Sequence, residues 1–175
     1  VRGYKPPMNS HDENPLGLND LHDMPGHLIR RAQQIAVAIF FEEAKGHDIT
    51  PVQFAALTAI NDNPGIDQSR LVDAIAIDRS TVGTMLGRLE EKGLITRTTP
   101  AANRRIKQIS MTPAGADLLA ACRPAVEAAQ RKILAPLSDA ERAKFLRLLA
   151  RVVDINNEAS RVPLKPKADE PPKQA

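Results

Sequence analysis

Residues 78–97, DRSTVGTMLGRLEEKGLITR, form the stretch that decides the predicted fold. Its first two-thirds are patterned as a helix, yet they contain two glycines, three hydroxyl side chains and two arginines. Alanine, lysine and glutamate favour a helix more strongly than glycine or the hydroxyl residues do. We therefore expect something to lie against one face of this helix too closely for bulky side chains. The simpler alternative is an exposed helix of poor propensity.

The two sides of this predicted helix, placed over residues 79–92, differ in chemistry. At about 100° per residue, the large apolar side chains gather on one side: Val82, Met85, Leu86 and Leu89. Small, hydroxyl and cationic residues gather on the other: Ser80, Thr84, Gly87 and Arg88, with Thr81 beside them. The first side is a candidate core face. The second suits nucleic acid, since small residues allow close approach, hydroxyls bond to bases or phosphates, and arginine recognises guanine or phosphate.

The elements around this helix predict a winged helix-turn-helix. Asp67 caps a short preceding helix, and residues 76–78 form a corner, the order of a helix-turn-helix whose second helix enters the major groove. After Gly93, the runs LITRTT and IKQISM are separated by PAANRR, which predicts a β-hairpin with a basic tip. Residues 78–111 contain seven Lys or Arg against three Asp or Glu, so their net charge exceeds the +3 of the whole chain.

Further helical patterns flank this unit. One is predicted over residues 25–45, and a second begins at the capping box formed by Thr50 and Gln53. Two more follow Thr112 and Ser138. The predicted order of elements is α-α-α-α-β-β-α-α, which indicates a mainly α fold with a small β-hairpin.

Composition bounds the class of protein. The 175 residues suffice for one domain, and 42% hydrophobic with 26% charged residues is typical of a globular protein. Aromatic residues amount to 3%, which argues against base-stacking platforms and sugar-binding clefts. The single cysteine, Cys122, excludes an internal disulfide and fits a reducing compartment. Without a run of ~18 apolar residues we expect no transmembrane helix, no membrane partner and a cytoplasmic location.

The linked pattern of residues 78–97 and of PAANRRIKQISMTPAG, residues 100–115, resembles the winged-helix core of the MarR family of bacterial transcriptional regulators. The resemblance extends over about residues 21–157, including LHDMPGHLIRRAQQI near their start. It implies a winged helix-turn-helix DNA-binding lobe joined to a helical dimerisation region. It also implies a homodimer that places paired recognition helices on a pseudo-palindromic operator in double-stranded DNA.

The resemblance sets the expected domain organisation. The predicted parts are a flexible N-terminal arm, a single MarR-like domain and a flexible Pro-rich tail, over residues 1–20, 21–157 and 158–175 respectively. Within the domain, the winged helix takes about residues 50–112. The dimerisation helices take about residues 23–46 and 113–157.

Nine residues are predicted to contact DNA. Five lie on the recognition helix, which is the predicted helix over residues 79–92, and four lie in the wing, which is the predicted β-hairpin after Gly93. They are Arg79, Ser80, Thr81, Thr84 and Arg88, followed by Asn103, Arg104, Arg105 and Lys107. Arg105 matches the arginine that the family inserts into the minor groove. Family wings typically carry an acid two residues before it, whereas this chain has Asn103, whose amide lacks the charge-assisted strength of a carboxylate. Unchanged operator affinity in an Asn103→Asp variant would discard the idea that this position braces the arginine.

A candidate effector site lies on the predicted helix over residues 25–45, opposite its apolar stripe. Family members with a similar opening resemble regulators of aromatic-compound catabolism. The resemblance therefore implies repression relieved by an aromatic carboxylate or its thioester, with the anion near His27, Arg30 or Arg31. The alternative is structural, with the arginines paired to acids of the other subunit and His27 packed at the interface.

Three other classes of function compete with this interpretation. An enzyme is disfavoured because the chain has no H-E-x-x-H, no His/Cys zinc spacing, no G-x-S-x-G and no phosphate loop, and we predict no metal or cofactor. A redox-responsive regulator of the same fold would depend on Cys122, which falls on an apolar helical row and is expected to be inert core. A helical interaction module would bind an acidic protein through its basic wing, and salt-dependent binding of duplex DNA separates it from the main interpretation.

Overall fold

Seven α-helices and a small antiparallel sheet form the part of the chain that the computed structural model describes, residues 17–99 and 107–165. The helices are α1 Leu18–Asp23, α2 Pro25–Glu43, α3 Pro51–Asp62, α4 Gln68–Ile75, α5 Arg79–Glu91, α6 Pro113–Ile133 and α7 Asp139–Ile155. The strands are β1 Ile66–Asp67, β2 Ile95–Thr98 and β3 Gln108–Met111, and a 3-10 turn, Asn157–Ala159, follows α7. The predicted fold class, mainly α with a small β wing, is confirmed.

The observed order of elements differs from the predicted α-α-α-α-β-β-α-α in two places. Strand β1 pairs antiparallel with β3, with Ile66 opposite Ile109, so the sheet has three strands in the order β1-β3-β2. A strand of two residues is too short to show the alternation that identifies strands in sequence. The short helix α1 begins within the residues assigned to the N-terminal arm, and α2 ends at Glu43 rather than at the predicted Lys45.

Side-chain caps determine where α3 and α4 begin. Thr50 Oγ1 accepts from the Gln53 backbone amide at 3.2 Å, and Gln53 Oε1 accepts from the Thr50 amide at 2.9 Å, which is the predicted capping box. Asp67 Oδ1 accepts from the backbone amides of Ser69 and Arg70 at 2.8 and 3.0 Å. Such bonds satisfy amides that the first helical turn leaves unpaired. The predicted starts of both helices are therefore confirmed.

The hydrophobic core lies between α3, α4, α5 and the sheet, and one side of α6 closes it. All four residues predicted for the core face of α5 are buried: Val82, Met85, Leu86 and Leu89. They share one cluster with fully buried side chains of the neighbouring elements: Leu57, Ile60, Leu71, Ile95, Ile109 and Cys122. Burying a large apolar side chain contributes roughly 1.5–3 kcal/mol. This core therefore determines which side of α5 points outward.

A close backbone contact joins the start of α6 to the segment that leaves α5. Thr112 Oγ1 donates to the Gly93 carbonyl at 2.7 Å and accepts from the Gly115 amide at 3.1 Å. A β-carbon on Gly115 would lie 2.2 Å from the Leu94 carbonyl oxygen, so only glycine fits at this position. Packing of α6 against this backbone explains the T-x-x-G spacing in the sequence.

Large apolar side chains line one broad side of α7, and no residue of this fully described helix is buried. They are Phe145, Leu146, Leu148, Leu149, Val152, Val153 and Ile155. Exposed apolar side chains also occur on α1 and α2: Leu18, Leu21, Leu28, Ile29, Ile35 and Phe41. Extensive exposed apolar surface is typical of an interaction site. None of the helices in the described ranges combines the length and the apolar character needed to cross a membrane.

Candidate nucleic-acid interface

The corner between α4 and α5 turns the second helix outward. Ala76 ends α4 in the left-handed conformation, with φ 52° and ψ 42°, and no other non-glycine residue in the described ranges has a positive φ. A left-handed alanine costs about 1–2 kcal/mol. Burial of Leu71 and Val82 on either side of the corner offsets this cost. The predicted corner at residues 76–78 is confirmed.

The outward side of α5 has the chemistry that its sequence predicts. All five of its predicted contact residues are exposed: Arg79, Ser80, Thr81, Thr84 and Arg88. A β-carbon added to Gly87 would meet nothing within 4 Å, so open space surrounds this position. Packing within the protein therefore does not require glycine at position 87. A small residue on this surface is consistent with the close approach of a binding partner. That these side chains contact DNA stays a prediction.

Hydrogen bonds organise the first turn of α5. Asp78 Oδ1 accepts from Ser80 Oγ at 2.6 Å and from the Thr81 amide at 3.0 Å, and Oδ2 accepts from Thr81 Oγ1 at 2.6 Å. The hydroxyls of Ser80 and Thr81 thereby hold the pKa of the Asp78 carboxyl well below its ordinary value. Arg79 Nη1 donates to Ser69 Oγ of α4 at 3.0 Å. Two hydroxyls and one guanidinium predicted to face DNA therefore already have partners within the protein.

A shallow concavity of about 380 Å³ separates the start of α3 from the outward side of α5. Its lining residues are Thr50, Val52, Gln53, Ser80, Thr81, Thr84, Met85 and Arg88. Sequence reasoning places only the α5 residues at this surface and misses the contribution of α3. The capping box at Thr50 marks that helix end in the sequence, but only the tertiary fold shows that it lies beside α5.

Two cations of the predicted basic segment form ion pairs within the protein. Arg97 Nε of β2 donates to Glu90 Oε2 at 2.8 Å, and Arg97 Nη2 contacts the same oxygen. Arg97 thereby lowers the pKa of the Glu90 carboxyl. Lys92 Nζ lies 2.7 Å from Asp48 Oδ2 and donates to the Asp48 carbonyl at 2.9 Å. The positive charge that this segment offers to DNA is therefore smaller than its sequence suggests.

The predicted wing contacts fall partly outside the described residues. Lys107 is exposed and directly precedes β3. Asn103, Arg104 and Arg105 lie between the two described ranges, so their predicted contacts rest on the sequence alone.

The candidate effector residues lie together near the start of α2. Arg30 Nη1 donates to Gln34 Oε1 at 3.0 Å, and Arg30 Nη2 lies 3.5 Å from His27 Nδ1. Arg31 Nη1 donates to the same Gln34 oxygen at 3.5 Å. The rings of His22 and His27 have centroids 5.1 Å apart, and sequence reasoning misses the first of these histidines. Among the described residues no carboxylate forms an ion pair with either arginine.

The electrostatics of this cluster favour an anion. Desolvation lowers the pKa of His27 below its ordinary value of 6.5, and the charges of Arg30, His22 and Arg31 lower it further. A carboxylate bound beside the arginines would oppose this repulsion and favour the protonated ring. The cluster thus combines permanently charged donors with a ring whose protonation responds to a bound anion.

Cys122 has the core position that its sequence predicts. Its side chain is fully buried on α6, and desolvation raises the pKa of the thiol. Oxidation proceeds through an accessible thiolate. The structure therefore disfavours a redox response through this residue.

Comparison with known proteins adds independent information about the family. The sequence model of the MarR family matches residues 49–107, which include α3, α4, α5 and β2. The HTH-type transcriptional repressor NicR of Pseudomonas putida is 31% identical to this chain over 140 residues, which are 80% of this chain and 89% of NicR.

Two solved structures are similar in fold. BpsR of Bordetella bronchiseptica, whose DNA binding is regulated by 6-hydroxynicotinic acid, has a TM-score of 0.73 and 31% identity over 81% of this chain and 99% of BpsR. The transcriptional repressor CouR, solved with a 23-mer DNA duplex, has a TM-score of 0.72 and 27% identity over 80% of this chain and 99% of CouR. These relatives are regulators rather than enzymes. With its winged helix-turn-helix and its similarity to them, the chain belongs to the MarR family of DNA-binding transcriptional regulators.

Proposed function

We propose that the protein is a homodimeric repressor that binds an inverted-repeat operator and is released by a small aromatic carboxylate or its thioester. The observation that carries this proposal is the two-sided character of α5, with a buried apolar side and an exposed side of hydroxyls, arginines and an open glycine. In this proposal residues 50–112 bind DNA, and residues 23–46 and 113–157 form the dimer.

The recognition helix α5 is proposed to lie in the major groove. Its exposed side supplies the contacts: Arg79, Ser80, Thr81, Thr84 and Arg88. The wing supplies further contacts to the backbone and the minor groove: Asn103, Arg104, Arg105 and Lys107. Each phosphate that these cations neutralise adds a slope of about −0.9 to log K against log salt. Operator affinity should therefore fall steeply as the salt concentration rises.

A second copy of the chain is the proposed partner of the exposed apolar surface. Val152, Val153 and Ile155 near the end of α7 are 49, 55 and 70% exposed, although such side chains gain about 25 cal/mol per Å² when buried. A two-fold dimer buries the same surface on both copies and presents two α5 helices to successive turns of the duplex. Dimers are typical of the family, and an inverted repeat in the operator matches their symmetry.

The cluster at the start of α2 is the proposed site of the effector carboxylate. Arg30 and Arg31 would give an anion charge-assisted hydrogen bonds, and His27 would respond to its charge. The regulation of BpsR by 6-hydroxynicotinic acid, an aromatic carboxylate, supports this chemical class. A thioester of the same acid would lack the anion at that position, so the two forms can be distinguished by binding.

Release from DNA is proposed to be a population shift. An effector that prefers a dimer with wrongly spaced recognition helices weakens operator binding by its differential affinity for that state, typically about 1–3 kcal/mol. The corresponding loss of operator affinity is roughly 5- to 150-fold. Helix α2 carries both the effector cluster and exposed apolar residues such as Leu28 and Ile29. Binding at this helix can therefore alter the geometry of the dimer.

Selection of bound duplexes from a random pool tests the proposal. We expect an inverted repeat to emerge, and we expect aromatic carboxylates such as 6-hydroxynicotinate or benzoate to release it where acetate does not. Arg88→Gln should bind the selected duplex weakly, whereas Arg147→Gln, which changes an exposed arginine of α7, should bind it like the wild type. Failure to enrich any duplex would contradict the proposal, and binding of an acidic protein in its place would favour the interaction module.

A further inference from the structure

The first turn of α5 contains two hydroxyl groups whose protons already form hydrogen bonds within the protein. Ser80 Oγ and Thr81 Oγ1 each lie 2.6 Å from an oxygen of the Asp78 carboxylate. This is the distance of a charge-assisted O–H···O⁻ hydrogen bond, in which the hydroxyl donates. A hydroxyl has one proton and two acceptor lone pairs. The exposed sides of both oxygens can therefore only accept a hydrogen bond.

The same carboxylate occupies the place where an anion would bind at this helix. Helix N-termini attract phosphate through free amides and the helix dipole. Here Asp78 Oδ1 accepts from the Thr81 amide at 3.0 Å and caps the helix. The carboxyl is ionised at neutral pH, and the hydrogen bonds from Ser80 and Thr81 hold the pKa of Asp78 still lower than its ordinary value. Ser80 and Thr81 therefore disfavour contact with a phosphate, whereas the neighbouring Arg79 keeps N–H donors for one.

We propose that Asp78 is a specificity-determining residue that makes Ser80 and Thr81 recognise exocyclic amino groups in the major groove. This inference rests on the proposed contact between α5 and DNA. Phosphate oxygens, thymine O4, guanine O6 and the purine N7 atoms accept hydrogen bonds and offer no proton to these oxygens. The donors in the major groove are the N4 amino group of cytosine and the N6 amino group of adenine. Ser80 and Thr81 accordingly select cytosine or adenine at the bases that they contact.

Further along the outward side of α5, the side chains have protons to donate to DNA. Thr84 is exposed one turn further along, and within residues 17–99 and 107–165 its hydroxyl has no hydrogen-bond partner, so it keeps a proton to donate. Arg88, one turn later, offers only donors. The two hydroxyls of the first turn thus only accept, whereas the Thr84 hydroxyl can donate as well as accept and Arg88 only donates. An operator half-site should present amino groups to Ser80 and Thr81 and acceptors, such as those of guanine, to Arg88.

Duplexes that lack single amino groups test this inference. In the selected operator, purine replaces one adenine or pyrimidin-2-one replaces one cytosine at each position in turn. The full-length wild type should lose roughly 2- to 13-fold in affinity at the positions that Ser80 or Thr81 contacts, the range of one lost hydrogen bond between neutral groups. Ser80→Ala and Thr81→Val should be insensitive to the same change at the matching position, because the interaction is already absent.

Asp78→Asn reverses the hydrogen-bond direction while keeping the cap, because asparagine is as good an N-cap as aspartate. Its amide oxygen can accept from the Thr81 backbone, but its amide nitrogen donates, so the Thr81 hydroxyl is left to donate outward. Selection with this variant should prefer thymine or guanine at the base that Thr81 contacts. The preference for an amino group should persist at the base that Ser80 contacts, because its hydroxyl shares Oδ1 with the Thr81 amide and still donates to the amide oxygen. The matched control is Thr58→Val, which removes an exposed hydroxyl bonded within α3 and should bind like the wild type.

The outcomes of these experiments distinguish a failure of the proposed function from a failure of the inference about Asp78. A wild type that shows no salt-dependent DNA binding overturns the proposed function itself. If the wild type binds but Ser80→Ala and Thr81→Val weaken operator and scrambled duplexes equally, the function stands and the inference is overturned, because these hydroxyls then contact phosphate. The inference is also overturned if no amino-group deletion couples to either residue. These two variants leave Asp78 intact, so the measurement decides even where Asp78→Asn fails to fold.

Discussion

Arg97 holds the last turn of α5 through Glu90. Its Nε donates to Glu90 Oε2 at 2.8 Å, and its Nη2 contacts the same oxygen across seven residues of sequence. The side chains of Arg97 and Glu90 are 25 and 39% exposed, so water screens the pair only in part. Between them the chain turns at Gly93, which has φ +69°. The pair therefore couples the orientation of the recognition helix to that of the wing.

Breaking this pair should weaken operator binding. Arg97→Met keeps the length of the side chain but removes the donors, and Glu90→Gln keeps the shape but removes the charge. We expect each variant to lose roughly two- to fivefold in operator affinity, the range of a partly exposed ion pair. The double variant should lose no more than either single variant, because both remove one interaction. Fluorescence anisotropy with labelled operator measures all three.

The control for this experiment is Glu91→Gln, which changes the exposed carboxyl next to Glu90. It should bind the operator as the wild type does. Losses that simply add in the Arg97 and Glu90 double variant would show that the two side chains act separately. Because Arg97 lowers the pKa of Glu90, the pair should persist at neutral pH and fail only in acid, below the ordinary glutamate value of 4.5.

Gly115→Ala should destabilise the fold by more than a usual surface change. The new methyl carbon would lie 2.2 Å from the Leu94 carbonyl oxygen and 2.9 Å from Met111 Cγ, so α6 must move away from the backbone of the wing. Such overpacking costs about 1–3 kcal/mol, occasionally more. Urea unfolding measures the loss. The matched control is Gly26→Ala in α2, where a β-carbon meets nothing within 4 Å, and its stability should be unchanged or slightly higher.

The core could be predicted from sequence because burial on a helix repeats with a local period. This period alone predicts that Val82 and Leu86 of α5 lie on the core side, and both are fully buried. Helix starts were equally predictable, since the caps at Thr50 and Asp67 bond to amides two or three residues away. Patterns of this kind depend only on neighbouring residues.

The chemistry of the candidate site was less accessible to sequence reasoning. The pair between Lys92 and Asp48 spans 44 residues and exists only once the tertiary fold has formed. The bonds from Ser80 and Thr81 to Asp78 are local, yet the pattern that suggests DNA contact does not show where the hydroxyl protons go. A sequence pattern gives the identity of polar groups on a face, whereas their hydrogen-bond direction depends on coordinates.

Gly87→Ala should stabilise the protein and weaken its binding to DNA. The position is helical and surrounded by open space, so alanine should add about 0.5–1 kcal/mol to the free energy of unfolding. The same methyl group would stand on the side of α5 that we propose to press against DNA, so operator affinity should fall. Urea unfolding and operator binding give the two quantities. A variant that is more stable and binds equally well would show that this glycine has no role at the interface.

Val152→Glu should dissociate the proposed dimer. The side chain is 49% exposed on α7, and a charge there would be buried without a partner when two copies associate. Light scattering should give the mass of two chains for the wild type and of one chain for the variant, with operator affinity lost as well. Arg147→Glu, which changes an exposed arginine opposite Val152 on the same helix, is the control and should stay dimeric. A wild type that is monomeric at every concentration would contradict the dimer.

Effector binding should take up a proton at His27. Desolvation and the charges of Arg30, His22 and Arg31 lower the pKa of this ring below 6.5, so it is neutral at pH 7 and above. A carboxylate bound at the arginines offsets their charge and raises the pKa of the ring again, and binding must then strengthen as the pH falls from 8 to 6. One coupled proton limits the gain to about tenfold per pH unit. Calorimetry with 6-hydroxynicotinate or benzoate measures this slope.

The lowered pKa of His27 also affects the stability of the protein without effector. Because the folded state binds this proton less well than the unfolded state does, the free energy of unfolding decreases as the pH falls. The contribution of His27 is present above its unfolded value of 6.5 and is lost below it. His27→Ala should remove both dependences, whereas His47→Ala, which changes a histidine in the turn after α2, should keep them. If the alanine variant at position 27 retained the full pH slope of effector binding, the proton would be taken up elsewhere and the proposed site would exclude this ring.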